Sequence, residues 1–454
     1  MDEQNKAILT TGNIAKQLLL LTLPMIVGQV SIVIFNITDT FFISRLGEEQ
    51  LAAISFTFPV VTVINSFAAG IGIGAGALIA RYLGEGNMYK VRRLTTDTLI
   101  LGFFFILLLS IIGVLTIKPM FRMLGATESV LVYIEDYMSI WYYGSFIVVL
   151  TMISNNIQRA LGDTKTPGII MLVSALLNAI FDPLLIFGIW FFPRMEMKGA
   201  ALTTVLSRII VAIMAIYILG YKRKLIVLKR VKLKELFASW REVLHIGIPS
   251  ASIRLALPIG SGIVTRLLST SGQLVVAGFG VATRIEFFAL APITALSSVM
   301  SPFVGQNLGA GKLSRVRKGR VISQNISLII GGSIAVLLWI FARPLALLFN
   351  DNPAVVETIV QYLRIVPIAY GLAGILQISS TILNVLKMPY LSSGLMGMHI
   401  FLIYVPLALI SHRFFGGTGV FASLAISYIV AGLIALSLVR KKIGELEVTS
   451  KKMT

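Results

Sequence analysis

Residues 99–117 read LILGFFFILLLSIIGVLTI, a run without a single charged side chain. About 20 apolar residues are what an α-helix needs to cross the roughly 30 Å hydrocarbon core of a bilayer. Similar runs cover residues 326–342 and 368–386. Most of these runs lack the polar stripe, repeating every 3.6 residues, of a helix on the surface of a soluble protein. They therefore predict an integral membrane protein built from transmembrane helices.

The composition of the whole chain agrees with a membrane environment. Of its 454 residues, 56% are hydrophobic and 13% are charged, whereas soluble domains have about 25% charged residues. The chain has no cysteine, which excludes disulfides and thiolate metal sites. Residues 1–16 are polar, and the apolar segment after them is longer than the core of a signal peptide. We therefore expect no cleavable signal peptide and a retained first helix.

The net charge of +19 would suit a nucleic-acid-binding protein, but the basic residues follow the loops of a membrane topology. The spans predicted in the first half are 15–44, 52–80, 95–117, 130–156, 168–191 and 200–219. The second half repeats this order, and most Lys and Arg residues lie at the chain ends and in every second loop. The positive-inside rule places both termini in the cytoplasm. We expect the plasma (inner) membrane of a prokaryote and no nucleic-acid partner.

The sequence repeats itself after about half its length. A shift of 225 residues superimposes Pro24 on Pro249 and Tyr137 on Tyr362, and several loop glycines match as well. Because six spans are an even number, the second copy enters the membrane in the same orientation as the first. Transporters that bind substrate between two halves use such parallel repeats. We predict an all-α membrane protein with twelve transmembrane helices in two pseudo-symmetric six-helix lobes.

The predicted domain boundaries follow from the repeat. We expect an N-terminal lobe over residues 1–220, a basic cytoplasmic linker over 221–241, a C-terminal lobe over 242–440 and a cytoplasmic tail over 441–454. The Lys and Arg residues of the linker are interpreted as enforcing topology, with contact to anionic membrane lipids as the alternative. The protein is expected to be a monomer.

Two carboxylates lie inside predicted spans, where a charge costs several kcal/mol and marks a functional candidate. They are Asp39 in span 1 and Asp182 in span 5, and the second half has Val264 and Val405 at the equivalent positions. A carboxylate needed only to brace the fold would be expected in both halves. We therefore interpret the two acids as a cation-coupling or substrate site, with bracing of a bend beside Pro183 as the alternative for Asp182.

Polar residues at helical spacing accompany these acids. Asn178 lies one turn before Asp182 on the same helix face. Further candidates, each of a type that also forms ordinary helix–helix hydrogen bonds, are Tyr137, Asn155, Asn156, Thr203 and Thr204. Pro24 and Pro183 are predicted hinges, because proline removes a helical hydrogen bond. The intramembrane residues to which the sequence assigns no role are Arg208, Arg254, Arg266, Arg284, Glu286 and Arg364.

No metal site or cofactor is predicted. The glycine run of residues 70, 72, 74 and 76 superficially resembles a phosphate loop, but it lies inside an apolar span, where small residues allow helices to pack closely. The three histidines are far apart and lack the spacing of metal ligands.

Five segments resemble the multidrug and toxic compound extrusion (MATE) family. They are TDTFFISRLGEEQLAA (38–53), QRALGDTKTP (158–167), NAIFDPLLIFG (178–188), KGAALTTVL (198–206) and GQNLGAG (305–311). The resemblance covers nearly the whole chain. It implies a two-lobed exporter, not an enzyme, that drives out small organic cations in exchange for H⁺ or Na⁺. The residues that match functional positions of the family are Asp39, Tyr137, Asn178, Asp182 and Thr204.

Within that family the chain resembles the DinF-like branch. The NorM-like branch carries acids in spans 7 and 10, whereas span 7 of this chain has Arg254 and span 10 has no acid. This difference implies a coupling site in the N-terminal lobe and puts a C-terminal sodium site in doubt.

The chemistry of a buried carboxyl group suggests how exchange could work. Removal from water favours the neutral form of such a group. We hypothesise that external protons neutralise Asp39 and Asp182, which releases a cationic substrate, and that the two lobes then rock to the opposite side. The alternative coupling ion is Na⁺, held by oxygens of Asp39, Asn178, Asp182 and Thr204. The alternative function is a flippase for lipid-linked precursors, whose pyrophosphate would suit the arginines at 254, 266 and 284.

Overall fold

This computed structural model describes residues 6–227 and 232–453, and over these residues the chain is helical apart from short loops. A 3₁₀ turn at Ile8–Thr10 precedes the first long helix. The helices of the first half are α1 (Ile14–Ser44), α2 (Glu48–Gly84), α3 (Met88–Met123), α4 (Glu128–Ala160), α5 (Lys165–Phe187) and α6 (Glu196–Tyr217). Those of the second half are α7 (Leu233–Ser269), α8 (Gln273–Ala289), α9 (Ala291–Gly309), α10 (Leu313–Leu347), α11 (Pro353–Ile365), α12 (Tyr370–Val385), α13 (Pro389–Gly397) and α14 (Val405–Met453).

Several breaks turn these helices into twelve spans. In the described residues, 10 helical segments are long and apolar enough to cross a membrane, and α8 and α9, bent by 46°, form an eleventh. A short turn at Val366–Ala369 joins α11 to α12, and a π-helical turn at Met398–Tyr404 joins α13 to α14. The long α14 contains a non-helical residue, Gly416 (φ 57°), which divides that segment into two spans. The predicted twelve-helix membrane fold is therefore confirmed.

The chain forms two compact units. The first is built around Pro24–Ala251, and the second contains Ile8–Leu23 together with Ser252–Thr454. This division differs from the predicted lobes, because residues 8–23 belong to the second unit and residues 221–251 to the first. Both α1 and α7 therefore contribute their two ends to different units.

In the first unit, the beginning of α7 is held by α2 and α3. Trp240 donates from Nε1 to the carbonyl oxygen of Asp97 at 2.8 Å, and Tyr82 donates from its hydroxyl to Glu242 at 2.9 Å. Arg93 forms ion pairs with Asp97 and Glu235. These contacts explain why α7 begins at Leu233, inside the segment expected to be a linker.

The glycine run on α2 provides close packing on two sides of the helix. A Cβ atom on Gly74 would lie 2.3 Å from the carbonyl oxygen of Val243 on α7, and one on Gly70 would lie 2.4 Å from that of Gly247. A Cβ on Gly72 would lie 2.4 Å from Asn156 Nδ2 on α4. The packing interpretation of this run is confirmed.

In the second unit, the GQNLGAG segment binds the residues that precede α1. The backbone N–H of Leu9 donates to Gln306 Oε1 at 3.1 Å, and Asn307 Nδ2 donates to the carbonyl oxygen of Leu9 at 3.0 Å. Arg315 donates from Nη1 to the carbonyl oxygen of Gly12 at 2.9 Å. This segment and Arg315 at the start of α10 therefore anchor the residues leading into α1 to the second unit.

Candidate functional site

The two intramembrane aspartates lie in the first unit on different helices. Asp182 on α5 and Asn178 one turn before it are both fully buried. Asn178 Nδ2 donates a hydrogen bond to Asp182 Oδ1 at 3.2 Å. This hydrogen bond agrees with the prediction that both residues lie on the same face of the helix. Asp39 lies on α1, five residues before that helix ends at Ser44, and is partly buried.

Glycines set how closely α1 and α6 approach α5. A Cβ atom on Gly168 of α5 would lie 2.5 Å from the carbonyl oxygen of Pro24, and one on Gly199 of α6 would lie 2.5 Å from that of Leu185. Any larger residue at these crossings would place its Cβ atom against the backbone of the neighbouring helix. Close crossings on either side of α5 thus bring polar groups of α1 and α6 toward Asp182.

Tyr137, Thr203 and Thr204 join this cluster. Tyr137 on α4 is buried and interacts electrostatically with both Asp39 and Asp182. The Thr204 hydroxyl lies beside Tyr137, and the Thr203 hydroxyl lies beside Asp182 while donating to the carbonyl oxygen of Gly199 at 2.9 Å. Helices α1, α4, α5 and α6 thus meet around the two acids.

The cluster has an excess of negative charge and of hydrogen-bond acceptors. Asp39 and Asp182 interact electrostatically with each other, and neither forms an ion pair with a described Lys, Arg or His side chain. Four buried oxygens have no hydrogen-bond partner in the described part of the chain: Asp39 Oδ1, Asn178 Oδ1, Asp182 Oδ2 and Thr204 Oγ1. Buried polar groups nearly always have partners. The arrangement is therefore suited to binding a proton or another cation.

The two candidate asparagines on α4 have different surroundings. Asn156 donates to the carbonyl oxygen of Met152 at 2.9 Å and accepts from Arg159 at 2.6 Å, and it packs on Gly72. These contacts place Asn156 in the packing of α4 on α2. Asn155 is buried with an unpartnered Oδ1, but no described contact joins it to the acids.

The predicted hinges lie inside unbroken helices. Pro24 is within α1 and Pro183 is within α5, directly after Asp182. Each removes one backbone donor and leaves a carbonyl one turn earlier without its helical hydrogen bond.

Arg208, to which the sequence assigned no role, is a neighbour of the cluster. It lies on α6 one turn after Thr204, and its guanidinium group stacks 5.0 Å from the ring centroid of Phe35, which lies one turn before Asp39 on α1. Its Nε is buried and has no hydrogen-bond partner among the described residues. The four-residue spacing between Thr204 and Arg208 is the sequence feature that could have placed Arg208 beside the cluster.

The second unit carries a carboxylate at a different position. Val264 and Val405, which replace the two aspartates, are buried in its apolar core. Glu286 on α8 accepts a short hydrogen bond from the Tyr362 hydroxyl, and its other oxygen, Oε1, is buried without a partner in the described residues. It also interacts electrostatically with Tyr370, Tyr404 and Tyr428. Glu286 and Tyr362 are 76 residues apart, so no local pattern could have paired them.

The sequence matches one family twice. The MatE family model aligns with residues 24–184 and again with residues 249–410. The two starting points are the pair Pro24 and Pro249 that the internal repeat superimposes, which confirms the duplication.

Relatives and solved structures agree over nearly the full length. The chain is 37% identical to a protein of Shewanella oneidensis named FAD transporter, over 95% of this chain and 96% of that one. It is 26% identical to the multidrug export protein MepA of Staphylococcus haemolyticus, over 94% of each chain. The crystal structure of the Vibrio cholerae MATE transporter VcmN in the bent form superimposes with a TM-score of 0.90 at 28% identity, covering 95% of this chain and 97% of that one. The chain therefore belongs to the MatE family of multidrug and toxic compound extrusion transporters, which move small organic substrates across membranes and are not enzymes.

Proposed function

We propose that the protein is a secondary antiporter that exports organic, mostly cationic compounds in exchange for protons. The observation that carries this proposal is the pair Asp39 and Asp182, two carboxylates in one cluster without a basic partner in the described residues. An acid inside a membrane span is expected to serve a proton or ion pathway.

The exchange follows from the charge of this cluster. Two ionised carboxylates repel each other, and the repulsion is stronger in a site shielded from water. A bound proton or a cationic substrate relieves it, and the two cations compete for the same negative charge. Protonation from outside therefore releases the substrate, and loss of the proton on the inside restores the substrate site. We propose that α1 and α5 bend at Pro24 and Pro183 during this cycle.

The test uses proteoliposomes loaded with a fluorescent organic cation and subjected to a pH gradient. Asp39→Asn and Asp182→Asn should each lower gradient-driven efflux about tenfold or more, since one interaction with a charged group is worth about 1.5–3 kcal/mol. Asp136→Asn is the matched control, because Asp136 lies on α4 beside Tyr137 but forms a partly exposed ion pair with Lys198 at 3.3 Å. Wild-type efflux by the Asp39 variant would overturn the proposal.

Sodium is the second candidate for the coupling ion. Four unpartnered oxygens belong to Asp39, Asn178, Asp182 and Thr204, and carboxylate, amide and hydroxyl oxygens are hard ligands suited to such a cation. Replacing the pH gradient by a Na⁺ gradient separates the two ions, because only the true coupling ion drives uphill efflux by itself.

A flavin dinucleotide is the second candidate substrate. It is favoured by the 37% identical relative named FAD transporter, and the unpaired Nε of Arg208 beside the cluster would suit a phosphate group. Arg208→Gln should abolish export of FAD while leaving efflux of an organic cation within about twofold. Unchanged export of FAD by the Arg208 variant would argue against FAD binding at this arginine. A lipid-linked precursor flippase remains the alternative suggested by Arg254, Arg266 and Arg284, and a lipid-flipping assay tests it.

We further propose a monomer in the inner membrane of a prokaryote, with both termini in the cytoplasm. The absence of cysteine from the chain allows a direct topology test. A membrane-impermeant maleimide should label Thr127→Cys, between α3 and α4, in intact cells. It should label Ser314→Cys, near the start of α10, only after the cells are broken. Labelling of both variants in intact cells would contradict this topology.

A further inference from the structure

A cavity of about 550 Å³ lies in the second unit between the first part of α10 and the last part of α14. Its charged lining residues are Arg317, Lys318, Arg320, Arg440 and Glu447. We call this cavity the basic pocket. It contains four cations and one acid, and it shares no residue with the acidic clusters described above.

The positive charge of the basic pocket is not balanced by the described residues. Glu447 lies 3.3 Å from Arg317, but Lys318, Arg320 and Arg440 form no ion pair with a described acid. Arg320 is only 7% exposed, and its Nε has no hydrogen-bond partner there. Arg317 and Arg440 both repel it electrostatically. A buried, unpaired cation among like charges is unfavourable, so this cluster calls for an anion.

The internal repeat provides a control for this interpretation. At a shift of 225 residues, Arg317 and Lys318 match Arg92 and Arg93 of the first unit. There Asp97 lies 3.3 Å from Arg93, and Ile322 replaces that acid in the second unit. Thr95 is the equivalent of Arg320. The second unit has therefore gained an arginine and lost an acid at the same place.

From this geometry we infer that the basic pocket binds a phosphate-bearing anion. Arginine side chains present forked donors that match phosphate oxygens. The pocket lies where α10 begins and α14 ends, the regions that the positive-inside rule assigns to the cytoplasm. Basic pockets between helices on that side bind acidic lipid headgroups. Val321, Ile322 and Ile443 add an apolar wall, which suits a lipid, whereas a soluble phosphate would use the charged residues alone.

The experiment measures the thermal unfolding midpoint of the full-length protein in detergent while a probe is added. A ligand that binds only the folded state raises this midpoint progressively, because the stabilisation follows RT ln(1 + L/Kd), where L is the free ligand concentration. The lipid probe is phosphatidylglycerol, with zwitterionic phosphatidylcholine, which has no net charge, as the comparison, and the soluble probes are inorganic phosphate and pyrophosphate. A rise with phosphatidylglycerol alone identifies a lipid headgroup, and a rise with a soluble probe identifies a free phosphate compound. The absence of a rise with every one of the phosphate-bearing anions overturns the inference.

Matched variants separate the basic pocket from general attraction to positive charge. Arg320→Gln and Arg440→Gln should each raise the dissociation constant fitted to the midpoint shift about tenfold or more. Lys234→Gln, at an exposed position on α7, makes the same charge change and should leave it unchanged. Arg440 is itself exposed, so its variant decides the outcome if Arg320→Gln fails to fold. Equal effects of all three substitutions would also overturn the inference.

Discussion

The packing of α7 on α2 leads to a prediction in which one substitution is the control for another. Gly74→Ala and Gly76→Ala place the same methyl group on the same helix, and each gains about 0.5–1 kcal/mol because alanine favours a helix over glycine. A Cβ on Gly74 would lie 2.3 Å from the carbonyl oxygen of Val243, whereas the nearest atom to a Cβ on Gly76 is the carbonyl oxygen of Asn156 at 3.4 Å.

The difference in free energy of unfolding follows from these two distances. A carbon–oxygen contact requires about 3.3 Å, so α7 would have to move about 1 Å from α2 to accept a methyl group at Gly74. Overpacking of this kind costs about 1–3 kcal/mol, while the gain in helix propensity cancels between the two variants. We expect the Gly74 variant to be less stable than the Gly76 variant by about 1–3 kcal/mol.

The measurement is thermal unfolding of both purified variants in the same detergent, followed by gradient-driven efflux in proteoliposomes. A lower midpoint for Gly74→Ala and a wild-type or higher midpoint for Gly76→Ala are expected. Equal midpoints would refute the described crossing of α2 and α7.

Two further predictions concern the acidic clusters. Asn178→Ala removes both the donor to Asp182 and a neighbouring oxygen. If Na⁺ is the coupling ion, the half-saturating Na⁺ concentration should rise about tenfold, because an oxygen ligand is lost. If H⁺ is the coupling ion, efflux should become half-maximal at a lower proton concentration, because the ionised carboxylate has lost a donor. Uptake titrations of each ion check the sign, and no change with either ion would argue against a role for Asn178. Tyr362→Phe should destabilise the protein by about 1.5–3 kcal/mol, because the Glu286 carboxylate loses its donor. Adding Glu286→Gln should recover part of that loss in a thermal double-mutant cycle. Tyr404→Phe in the same core cluster is the control, and an equal loss there would contradict the special role of Tyr362.

Hydropathy predicted the spans well but could not find where a helix continues into charged residues. The first span was predicted at 15–44 and α1 covers Ile14–Ser44. Within residues 441–454, which the sequence predicted to be a cytoplasmic tail, α14 continues to Met453. Charged residues such as Lys442 and Glu445, which pair at 2.8 Å, support a helix without being apolar. Span 5 was predicted to reach residue 191, but Gly188 ends α5 in a left-handed conformation (φ 71°). Residues 189–191 after it are as apolar as the helix itself, so hydropathy could not show that the helix had ended.

Local spacing identified contacts within one helix but not between distant helices. Asn178 and Asp182 were paired correctly because four residues make one turn. Neighbouring residues on a helix point about 100° apart, so Asn155 and Asn156 have different surroundings, and sequence alone could not distinguish them. Asn156 forms hydrogen bonds with Met152 and Arg159.

A tyrosine at equivalent positions of the two halves faces a carboxyl group in both. From the aligned valines, Val264 and Val405, the second half was expected to lack intramembrane acid at the equivalent positions. Yet Tyr137 and Tyr362 occupy equivalent positions in the repeat, and each faces a carboxylate: Asp39 and Asp182 in the first unit, and Glu286 in the second. The acid has therefore not simply been lost from the second copy but comes from another helix, α8.

The acids of the two units differ in their hydrogen bonding, and this difference leads to a prediction about transport. In the first unit two acids share the site and leave several oxygens unpartnered in the described residues, so its charge can change only if a cation binds. In the second unit the single acid, Glu286, accepts the hydroxyl hydrogen of Tyr362 on one oxygen, and only its other oxygen, Oε1, is buried without a partner in the described residues. We therefore expect cation coupling to depend more on the first unit than on the second. Efflux should therefore fall more steeply with Asp39→Asn than with Glu286→Gln at every imposed gradient, and equal losses would show that both halves couple to the ion.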